Sequence, residues 1–479
     1  MLKTSENVQH TTGGSITAAF PPDEEQSPLS LVVAAVENPS PAGIAAAIHR
    51  LIRSGALTSG DRLPTVRVLA AALGVSPSTV SEAWQALGAV GAVQARGRAG
   101  TFVSAAPEPT TPRRFLGISG APGAEGFDLS TGTPDPDLLP SLREALQRVT
   151  EGSEHWTTTY LDPAVLPALG EHLATTWPFR AESLTVVDGA LDALSRIVDL
   201  QVHLGDRVVV EDPGFPPLLD MLERAGAELM PVAMDDEGIV VDALAEALML
   251  DPVAVFLQPR AQNPTGTSMS VERAAALAEL VRGTKTLVVE DDHSGDIATG
   301  EDVSLGVHLP TQVVHIRSYS KSHGPDLRIA AVGGTADVIE PMRARRLLGP
   351  AWTSRLLQSV LLELLTDSAA ISAVTRARSA YAMRSLAFRA GLNSLGVHTT
   401  TGDGINVWVE VADERAALLS LAAQGIKVAP GSPFQVASWA TDHVRVTSGL
   451  LHEEDSEQFQ HVLTALAAAS RAPSGSRGI

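Results

Sequence analysis

Cysteine is absent from the 479 residues of this sequence, which excludes disulfide bonds, thiolate metal ligands and a cysteine nucleophile. No apolar run approaches the roughly 18 residues of a membrane-spanning helix, so we expect no membrane partner. The first residues, MLKTSENVQHTTGGS, carry no apolar stretch behind their lysine and predict no secretory signal. We therefore expect a cytoplasmic protein without a bound metal.

What is present is a length that exceeds a typical domain of roughly 100–200 residues and a hydrophobic content of 44%, which excludes wholesale disorder. The formal net charge of −20 is unevenly spread. Residues 1–40 carry one lysine and five acids, residues 41–103 carry six arginines and two acids, and the remainder carries 28 bases and 48 acids. A basic segment in an acidic chain indicates a nucleic-acid-binding unit joined to something else.

Residues 41–103 have the periodicity of a small helical unit, whereas residues 1–40, rich in Ser, Thr, Pro and acids, are expected to be a mobile tail. Apolar residues at helical spacing from Ile44 predict a first helix, and further helices are expected after Thr65 and after Ser76, which caps the third. Two short strands complete the pattern, around 93–96 and 101–103. Three helices and a hairpin predict a winged helix-turn-helix, which places its third helix in the major groove of DNA.

The same segment resembles the GntR-type DNA-binding unit. The resemblance rests on GDRLPTVRVLA from Gly60, LGVS from Leu73 and GTFV from Gly100. It implies that DNA is contacted by residues of the second helix, of the start of the third helix and of the wing, which here are Arg67, Ser76, Ser78, Thr79 and Gly100. The family usually has arginine after the serine of the turn, where this chain has Pro77. That position therefore lacks a cation at the groove.

Residues 104–126 have no periodicity and predict a linker. From residue 127 to 479, apolar runs such as VVVED and TLVVED alternate with helical stretches rich in Ala and Leu. This pattern predicts an α/β unit with a mostly parallel central sheet, so the chain as a whole is a multidomain α/β protein. Because ligands bind at the carboxyl ends of parallel strands, we expect the polar residues that end these runs to form one site.

Two of these residues point to an aldehyde cofactor that carries a phosphate. Lys321 follows a strand and offers an amine for a Schiff base, while Ser318, Ser320 and Arg328 offer donors to a phosphate. Asp291 ends a buried strand, where a carboxylate needs a partner such as a pyridinium nitrogen.

The remaining candidates follow other strands. Asn263, in an Asn-Pro-Thr-Gly turn, is placed to donate to a phenolic oxygen, and Phe215 is a candidate ring to stack on the cofactor. Gly189 and Ala190 open a helix whose N-terminus suits a phosphate. Arg445 is a candidate clamp for a carboxylate.

In order and spacing these motifs resemble the fold-type I aminotransferases that use pyridoxal 5'-phosphate. The resemblance implies that Lys321 forms the Schiff base as the catalytic lysine and that the other nine residues bind the cofactor or the substrate carboxylate in the roles just given. His293 stands where the family commonly has a tyrosine near the phenolic oxygen, and is included among the cofactor-binding residues. In the segment from Tyr160, Val165 and Gly170 replace the usual glycine and arginine.

A GntR-type unit fused to an aminotransferase-like unit resembles the MocR family of transcriptional regulators. The resemblance implies a homodimer, exchanged head to tail, that binds an operator in double-stranded DNA and responds to pyridoxal phosphate or to an amine or amino acid joined to it. The alternative from another class is a working aminotransferase with a vestigial DNA-binding unit. A third alternative, a body that only dimerises, leaves Lys321 and Asp291 buried without a function.

Overall fold

The computed structural model describes residues 27–89, 92–95, 97–104, 111–118, 126–152, 162–438, 441–452 and 456–472. The chain divides into two compact units, Met1–Thr111 and Pro112–Ile479, which we call the head and the body. The head has its own apolar core, and the apolar cores of the body share no residue with it.

The head contains four helices and an antiparallel hairpin: α1 (Pro28–Ala35), α2 (Pro41–Arg53), α3 (Val66–Leu73), α4 (Pro77–Ala89), β1 (Val93–Ala95) and β2 (Thr101–Val103). Helices α2 and α3 are capped by Ser40 and Thr65, whose side-chain oxygens accept hydrogen bonds from backbone N–H groups three residues on. Helix α3 ends at Gly74, which adopts the left-handed conformation with φ of +68°. From α2 onward the head has the predicted winged helix-turn-helix arrangement.

The expectation that residues 1–40 form a mobile tail is wrong for α1. Ser27 caps this helix, and Val32 is fully buried in the same core as Ile44, Ile48 and Leu69. The physical reason is the apolar run LSLVVAAV, which is long enough to form two helical turns and bury one face. Residues 1–26 lie outside the described part of the chain.

The body contains thirteen strands and twelve α-helices within its described residues. In chain order the strands are β3 (Phe127–Asp128), β4 (Ser183–Val187), β5 (Arg207–Asp212), β6 (Glu228–Asp235), β7 (Gly238–Ile239), β8 (Ala254–Leu257), β9 (Leu287–Asp292), β10 (Val313–Ser318), β11 (Ala330–Gly334), β12 (Val407–Val411), β13 (Ile426–Lys427), β14 (Ala429–Pro430) and β15 (Asp442–Val446). The helices are α5 (Arg113–Ile118), α6 (Leu142–Gly152), α7 (Pro167–Thr176), α8 (Ala190–Gln201), α9 (Pro216–Ala225), α10 (Val241–Leu248), α11 (Val271–Val281), α12 (Ala336–Arg346), α13 (Arg355–Thr366), α14 (Ser368–Ser394), α15 (Glu414–Ala422) and α16 (Ser456–Ala469).

Helix α5 corrects the expectation that residues 104–126 are only a linker. Arg114 donates hydrogen bonds to the Glu223 carboxylate at 2.8 Å and to the Gln435 carbonyl at 2.6 Å. Ile118 is buried against Phe434. These contacts attach α5 to the body, because a charged side chain with several oxygen partners and an apolar anchor offset the loss of chain entropy. Residues 105–110 and 119–125 lie outside the described part of the chain.

The main sheet has eight strands in the order β4-β11-β10-β9-β8-β5-β6-β7. Strands β10, β9, β8, β5 and β6 are parallel, whereas β11 is antiparallel to both its neighbours and β7 is antiparallel to β6. The mostly parallel central sheet predicted from the apolar runs is therefore present. Its parallel strands bring their carboxyl ends to one edge.

Helices cover both faces of this sheet, since successive side chains of a strand point to opposite sides. Val209 packs into the core shared with α7, α10, α11 and α13, while Val208 and Val210 pack into the core shared with α8, α9 and α12. A third core lies between α14, α15, α16 and a smaller sheet in the order β12-β15-β14.

No single helix within the described ranges is long and apolar enough to cross a membrane. Helices α13 and α14 satisfy that criterion only when they are counted together across a bend of 74°.

Candidate cofactor and effector site

Most of the predicted site residues follow strands of the main sheet, and Arg445 lies on β15 of the smaller sheet. Gly189 and Ala190 follow β4, Phe215 follows β5, Asn263 follows β8, and the others lie at or after the ends of β9, β10 and β15. The parallel register of β10 on β9 pairs Ile316 with Asp291 and therefore ends both strands at the same edge. The topology thus brings residues from distant parts of the sequence to a common edge.

Lys321 lies just after β10 and donates a hydrogen bond from Nζ to the carbonyl of Gly132. Burial lowers the pKa of Lys321 to about 8, and the positive charge of Arg445 acts in the same direction. The negative charge of Asp291 opposes both effects. An amine with a lowered pKa has a larger neutral fraction near pH 7 and is a better nucleophile for an aldehyde.

Asp291 ends β9 with a buried and only partly satisfied carboxylate. Its Oδ2 accepts a hydrogen bond from Gln258 Nε2 at 2.8 Å, while its Oδ1 is buried with no hydrogen-bond partner among the described residues. Burial raises the pKa of Asp291 to about 6. A free, buried carboxylate oxygen fits a protonated pyridine nitrogen, which would supply the missing donor and positive charge.

A cradle for an anion lies at the start of α8. Gly189 has φ of +98°, and a Cβ built on it would lie 3.4 Å from the Arg328 guanidinium carbon. The guanidinium therefore lies beside the turn that exposes the first N–H groups of α8, beginning at Ala190. Ser318 and Ser320, whose hydroxyl oxygens are 3.0 Å apart, lie at the end of β10. The residue types of this cradle fit a phosphate group.

Arg346 of α12 holds this turn in place from behind. It is almost fully buried and binds the carboxylates of Asp188 at 3.2 Å and Asp192 at 2.9 Å. It also donates to the Thr353 hydroxyl at 3.1 Å, which in turn donates to Asp188 at 2.8 Å. Asp188 directly precedes Gly189, so these bonds fix the backbone of the cradle.

Arg445 on β15 is buried and is held by two oxygen acceptors. Its Nη1 donates to Asn263 Oδ1 at 3.0 Å, and its Nη2 donates to the carbonyl of Ser130. The guanidinium also lies 5.2 Å from the centre of the Phe434 ring. Burial lowers the pKa of Arg445 to about 10. Because Asn263 accepts this bond through its oxygen, its amide nitrogen remains the group that can donate to a cofactor.

His293 follows Asp292 at the end of β9 and is held by its neighbour. Its Nε2 lies 3.1 Å from Ser294 Oγ, and its Nδ1 is buried without a hydrogen-bond partner in the described residues. Burial lowers the pKa of His293 to about 3, and the positive charge of Lys321 contributes. The imidazole is therefore neutral at physiological pH and presents one free ring nitrogen.

Phe215 lies at the start of α9 and lines a cavity together with Glu211, Leu219, Gln258 and Asp291. Its ring is partly buried in the apolar core beneath α8 and α9. A flat ring at the wall of the cavity that contains the Asp291 carboxylate can stack on a planar cofactor.

Two residues of this site were missed in the sequence. Gln258 donates to Asp291 through Nε2 and accepts from the Asn263 backbone N–H through Oε1, and its own backbone N–H donates to Glu211 at 3.1 Å. Burial raises the pKa of Glu211 to about 8. The only available signal was a glutamate within the Val-rich run of β5, since a buried carboxyl group needs donors.

The segment from Tyr160 is only partly described. Val165 packs against the core beneath α7, and Gly170 faces it, because a Cβ on Gly170 would lie 3.7 Å from Val165 Cγ1. Residues 153–161, and with them Tyr160, lie outside the described ranges.

In the head, three of the predicted DNA-binding residues cluster at the start of α4. Ser76 Oγ accepts a hydrogen bond from Thr79 N at 3.2 Å and lies 2.7 Å from Ser78 Oγ. Pro77 occupies the first helical position, where a missing N–H costs nothing. Arg67 is exposed on α3, and Gly100 directly precedes β2.

Two family descriptions and several curated relatives match this chain. Residues 124–463 match the aminotransferase class I and II family, and residues 42–103 match the gntR family of bacterial regulatory proteins. The vitamin B6 salvage pathway transcriptional repressor PtsJ of Salmonella typhimurium is 34% identical over 85% of this chain and 94% of its own length. The chain belongs to the MocR-type transcriptional regulators. In this family a GntR-type winged helix that binds DNA is joined to an aminotransferase-like unit.

Other MocR-type relatives cover most of the chain as well. The regulator TauR of Rhodobacter capsulatus is 27% identical over 82% of this chain and 91% of its own length. The probable rhizopine catabolism regulatory protein MocR of Rhizobium meliloti is 27% identical over 70% of this chain and 74% of its own.

Solved aminotransferases share the fold of the body. Kynurenine aminotransferase of Pyrococcus horikoshii has a TM-score of 0.67 at 22% identity and covers 75% of this chain and 95% of its own length. The α-aminoadipate aminotransferase LysN of Thermus thermophilus has a TM-score of 0.66 at 22% identity, with coverage of 76% and 95%. At this identity the likeness concerns the fold.

Proposed function

We propose that this regulator binds pyridoxal 5'-phosphate in its body and that the cofactor, or an amine joined to it, changes the affinity of the head for operator DNA. The observation that carries the proposal is that two groups lie at one edge of the sheet: the partly buried Lys321, whose pKa is lowered, and a buried Asp291 oxygen without a hydrogen-bond partner among the described residues. The two groups are complementary to an aldehyde and to a pyridinium nitrogen.

Each remaining residue has a role that its position supports. The phosphate would be held by Arg328, Gly189, Ala190, Ser318 and Ser320. The pyridine ring of the cofactor would stack on Phe215. Asn263 and the neutral His293 hold the phenolic oxygen, and Arg445 binds an anionic group of the effector. Pyridoxal phosphate would supply an aldehyde, and the Lys321 amine is the group that would hold it.

The loop 130–133 is the part of the body whose hydrogen bonds a ligand would change. Lys321 donates to the carbonyl of Gly132 and Arg445 donates to the carbonyl of Ser130. The Gly132 N–H donates to the Thr447 hydroxyl at 2.8 Å. A ligand that binds Lys321 or Arg445 competes for these donors and leaves the loop carbonyls without them. Such a ligand has a higher affinity for an arrangement in which the loop has released Lys321 or Arg445 than for one in which the loop holds them.

One relative supports the proposal that pyridoxal phosphate itself is the effector. The curated name of PtsJ describes repression of vitamin B6 salvage, and a repressor that senses pyridoxal phosphate would close such a control loop. We further propose a cytoplasmic homodimer, exchanged head to tail, in which two heads read a pair of half-sites.

The test is a footprint on the DNA upstream of the protein's own gene, with protein stripped of pyridoxal phosphate and then reloaded. We expect paired protected sites whose protection changes with the cofactor in the wild type and stays constant in Lys321→Ala. Protection that is identical in both states of the wild type would contradict ligand control.

The second candidate function is catalysis of amino-group transfer with a vestigial head. Two features favour it: the hydrogen bond that Arg445 donates to Asn263, and the nucleophilic amine of Lys321 in the same site. Steady transfer from an amino acid to a keto acid, together with no DNA protection in either state, would establish it in place of the regulator.

A further inference from the structure

Arg62 lies at the base of the wing with a fixed backbone. The Val103 N–H donates to the carbonyl of Asp61 at 2.9 Å, and the Leu63 N–H donates to the carbonyl of Thr101 at 2.8 Å. Arg62 itself forms an antiparallel bridge with Phe102. The backbone around Arg62 is therefore held against β2, and the direction in which its side chain leaves the backbone is set.

The Arg62 side chain runs against the turn of the wing at Gly100. A Cβ built on Gly100 would lie 2.9 Å from Arg62 Nε, so a side chain at this position would require the Arg62 side chain to shift. Gly100 also has φ of +112°, a conformation that side chains disfavour. Glycine at this position thus keeps open the space that the Arg62 guanidinium occupies beside the turn.

The Arg62 side chain is exposed and has no hydrogen-bond or ion-pair partner within the described ranges, although an acidic residue precedes it. The Asp61 carboxylate is used elsewhere, since its Oδ2 accepts from Thr58 N at 2.6 Å and from Thr58 Oγ1 at 3.1 Å. Arg50, by contrast, donates to the carbonyl of Ala35 at 3.4 Å. An exposed guanidinium with its donors free suits bidentate binding of a phosphate.

We propose that Arg62 binds a backbone phosphate of duplex DNA and that Gly100 is a positioning residue, which acts by leaving room for the Arg62 side chain. The inference rests on the proposed function, because it presupposes that the head binds DNA. It is also consistent with Pro77, since a third helix that starts without a cation leaves more of the phosphate contact to other arginines.

Because a phosphate contact is independent of base sequence, a random duplex is the right probe. The experiment measures binding of the full chain to a fluorescein-labelled random duplex of about 30 base pairs, at salt concentrations between about 50 and 200 mM. Arg62→Ala should weaken binding and lower the slope of log K against log salt by about 0.9 for each head that contacts DNA. Arg62→Lys should keep the slope, because the charge remains.

The matched control is Arg50→Ala, which removes the same charge from an exposed arginine of the head and should leave the slope unchanged. Gly100→Ala should weaken binding in the wild-type background and have little further effect in Arg62→Ala, because the two act through one contact. Thermal unfolding of each variant separates loss of the contact from loss of the fold.

Two outcomes would overturn the proposal, and they differ in what else they overturn. If the wild type binds the duplex and Arg62→Ala has the slope of Arg50→Ala, Arg62 makes no phosphate contact, while the proposed function stands. If the wild type shows no salt-dependent binding at any concentration, the proposal fails together with the DNA-binding function of the head.

Discussion

Burial acts on three neighbouring groups of the body in the same chemical sense, since it favours the uncharged form of each. It lowers the pKa of Lys321 to about 8 and that of His293 to about 3, and it raises the pKa of Asp291 to about 6. The site therefore combines an amine whose neutral form is favoured by burial with a carboxylate oxygen that has no hydrogen-bond partner among the described residues. Such a site is complementary to a ligand that has both an aldehyde and a cationic nitrogen.

At the scale of one residue, the lowered pKa predicts the reactivity of the Lys321 amine. Protein without cofactor should be acetylated at Lys321 by a limiting amount of acetic anhydride with a rate that rises with pH through about 8 and then levels off. The exposed Lys285 is the internal standard, and mass spectrometry of the two peptides gives both rates.

The same labelling tests the cause of the lowered pKa. In Arg445→Gln the midpoint for Lys321 should move to higher pH, because a positive neighbour that disfavours the ammonium form is lost. An unchanged midpoint would assign the whole effect to burial.

At the scale of elements, the cradle at the start of α8 depends on a helix far away in sequence. Arg346 of α12 joins Asp188 and Asp192 to Thr353, so the position of the turn before α8 is set by packing against another element. The sequence identifies the glycine turn as a phosphate site, but nothing local to that turn indicates the arginine that fixes it.

Arg346→Ala should lower the free energy of unfolding by about 1–3 kcal/mol, because two carboxylates lose their cation and a buried hydroxyl loses a donor. The lower part of this range allows for the exposure of Asp188, whose side chain is 43% accessible. Arg343→Ala on the same helix, which breaks an exposed pair with Glu340, should cost less than about 0.5 kcal/mol. Urea unfolding measures both, and equal costs would contradict the role of Arg346.

Helix α1 is the element whose place depended on tertiary contacts in the head. Val32→Ala should destabilise the head by about 1–3 kcal/mol, because it opens a cavity in a core in which Val32 is fully buried. Val68→Ala, at a position on α3 that is 48% exposed, is the matched control and should be nearly neutral. If the unfolding of the head is unaffected by Val32→Ala, α1 is not part of its core.

At the scale of the whole molecule, control of DNA binding by a ligand requires coupling between the head and the body. Coupling is reciprocal, so the factor by which pyridoxal phosphate changes the Kd for operator DNA must equal the factor by which DNA changes the Kd for pyridoxal phosphate. We expect a common factor of about 5–150, which corresponds to about 1–3 kcal/mol. Fluorescence anisotropy and equilibrium dialysis on the same preparation measure the two, and a factor of one in both would leave the body without control of the head.

The winged helix of the head and the mostly parallel sheet of the body follow from local patterns of residues. Helix caps and apolar periodicity are local, so Thr65, Ser76 and the run from Ile44 were sufficient to place α2, α3 and α4. The location of the candidate site in the body could also be predicted from the sequence. Parallel strands end at one edge of a sheet, so the residues at their ends, such as Lys321 and Asp291, lie close together there.

Which of these residues share hydrogen bonds depends on how the chain folds, because the partners are far apart in sequence. Arg445 and Asn263 are 182 positions apart in sequence, and Gln258 contributes to the site through Asp291, 33 positions away. The docking of α1 and α5 was decided in the same way, because each is stabilised by burial against distant residues. Local patterns fix the conformation of a segment, but the energy of such contacts exists only once the chain has brought their partners together.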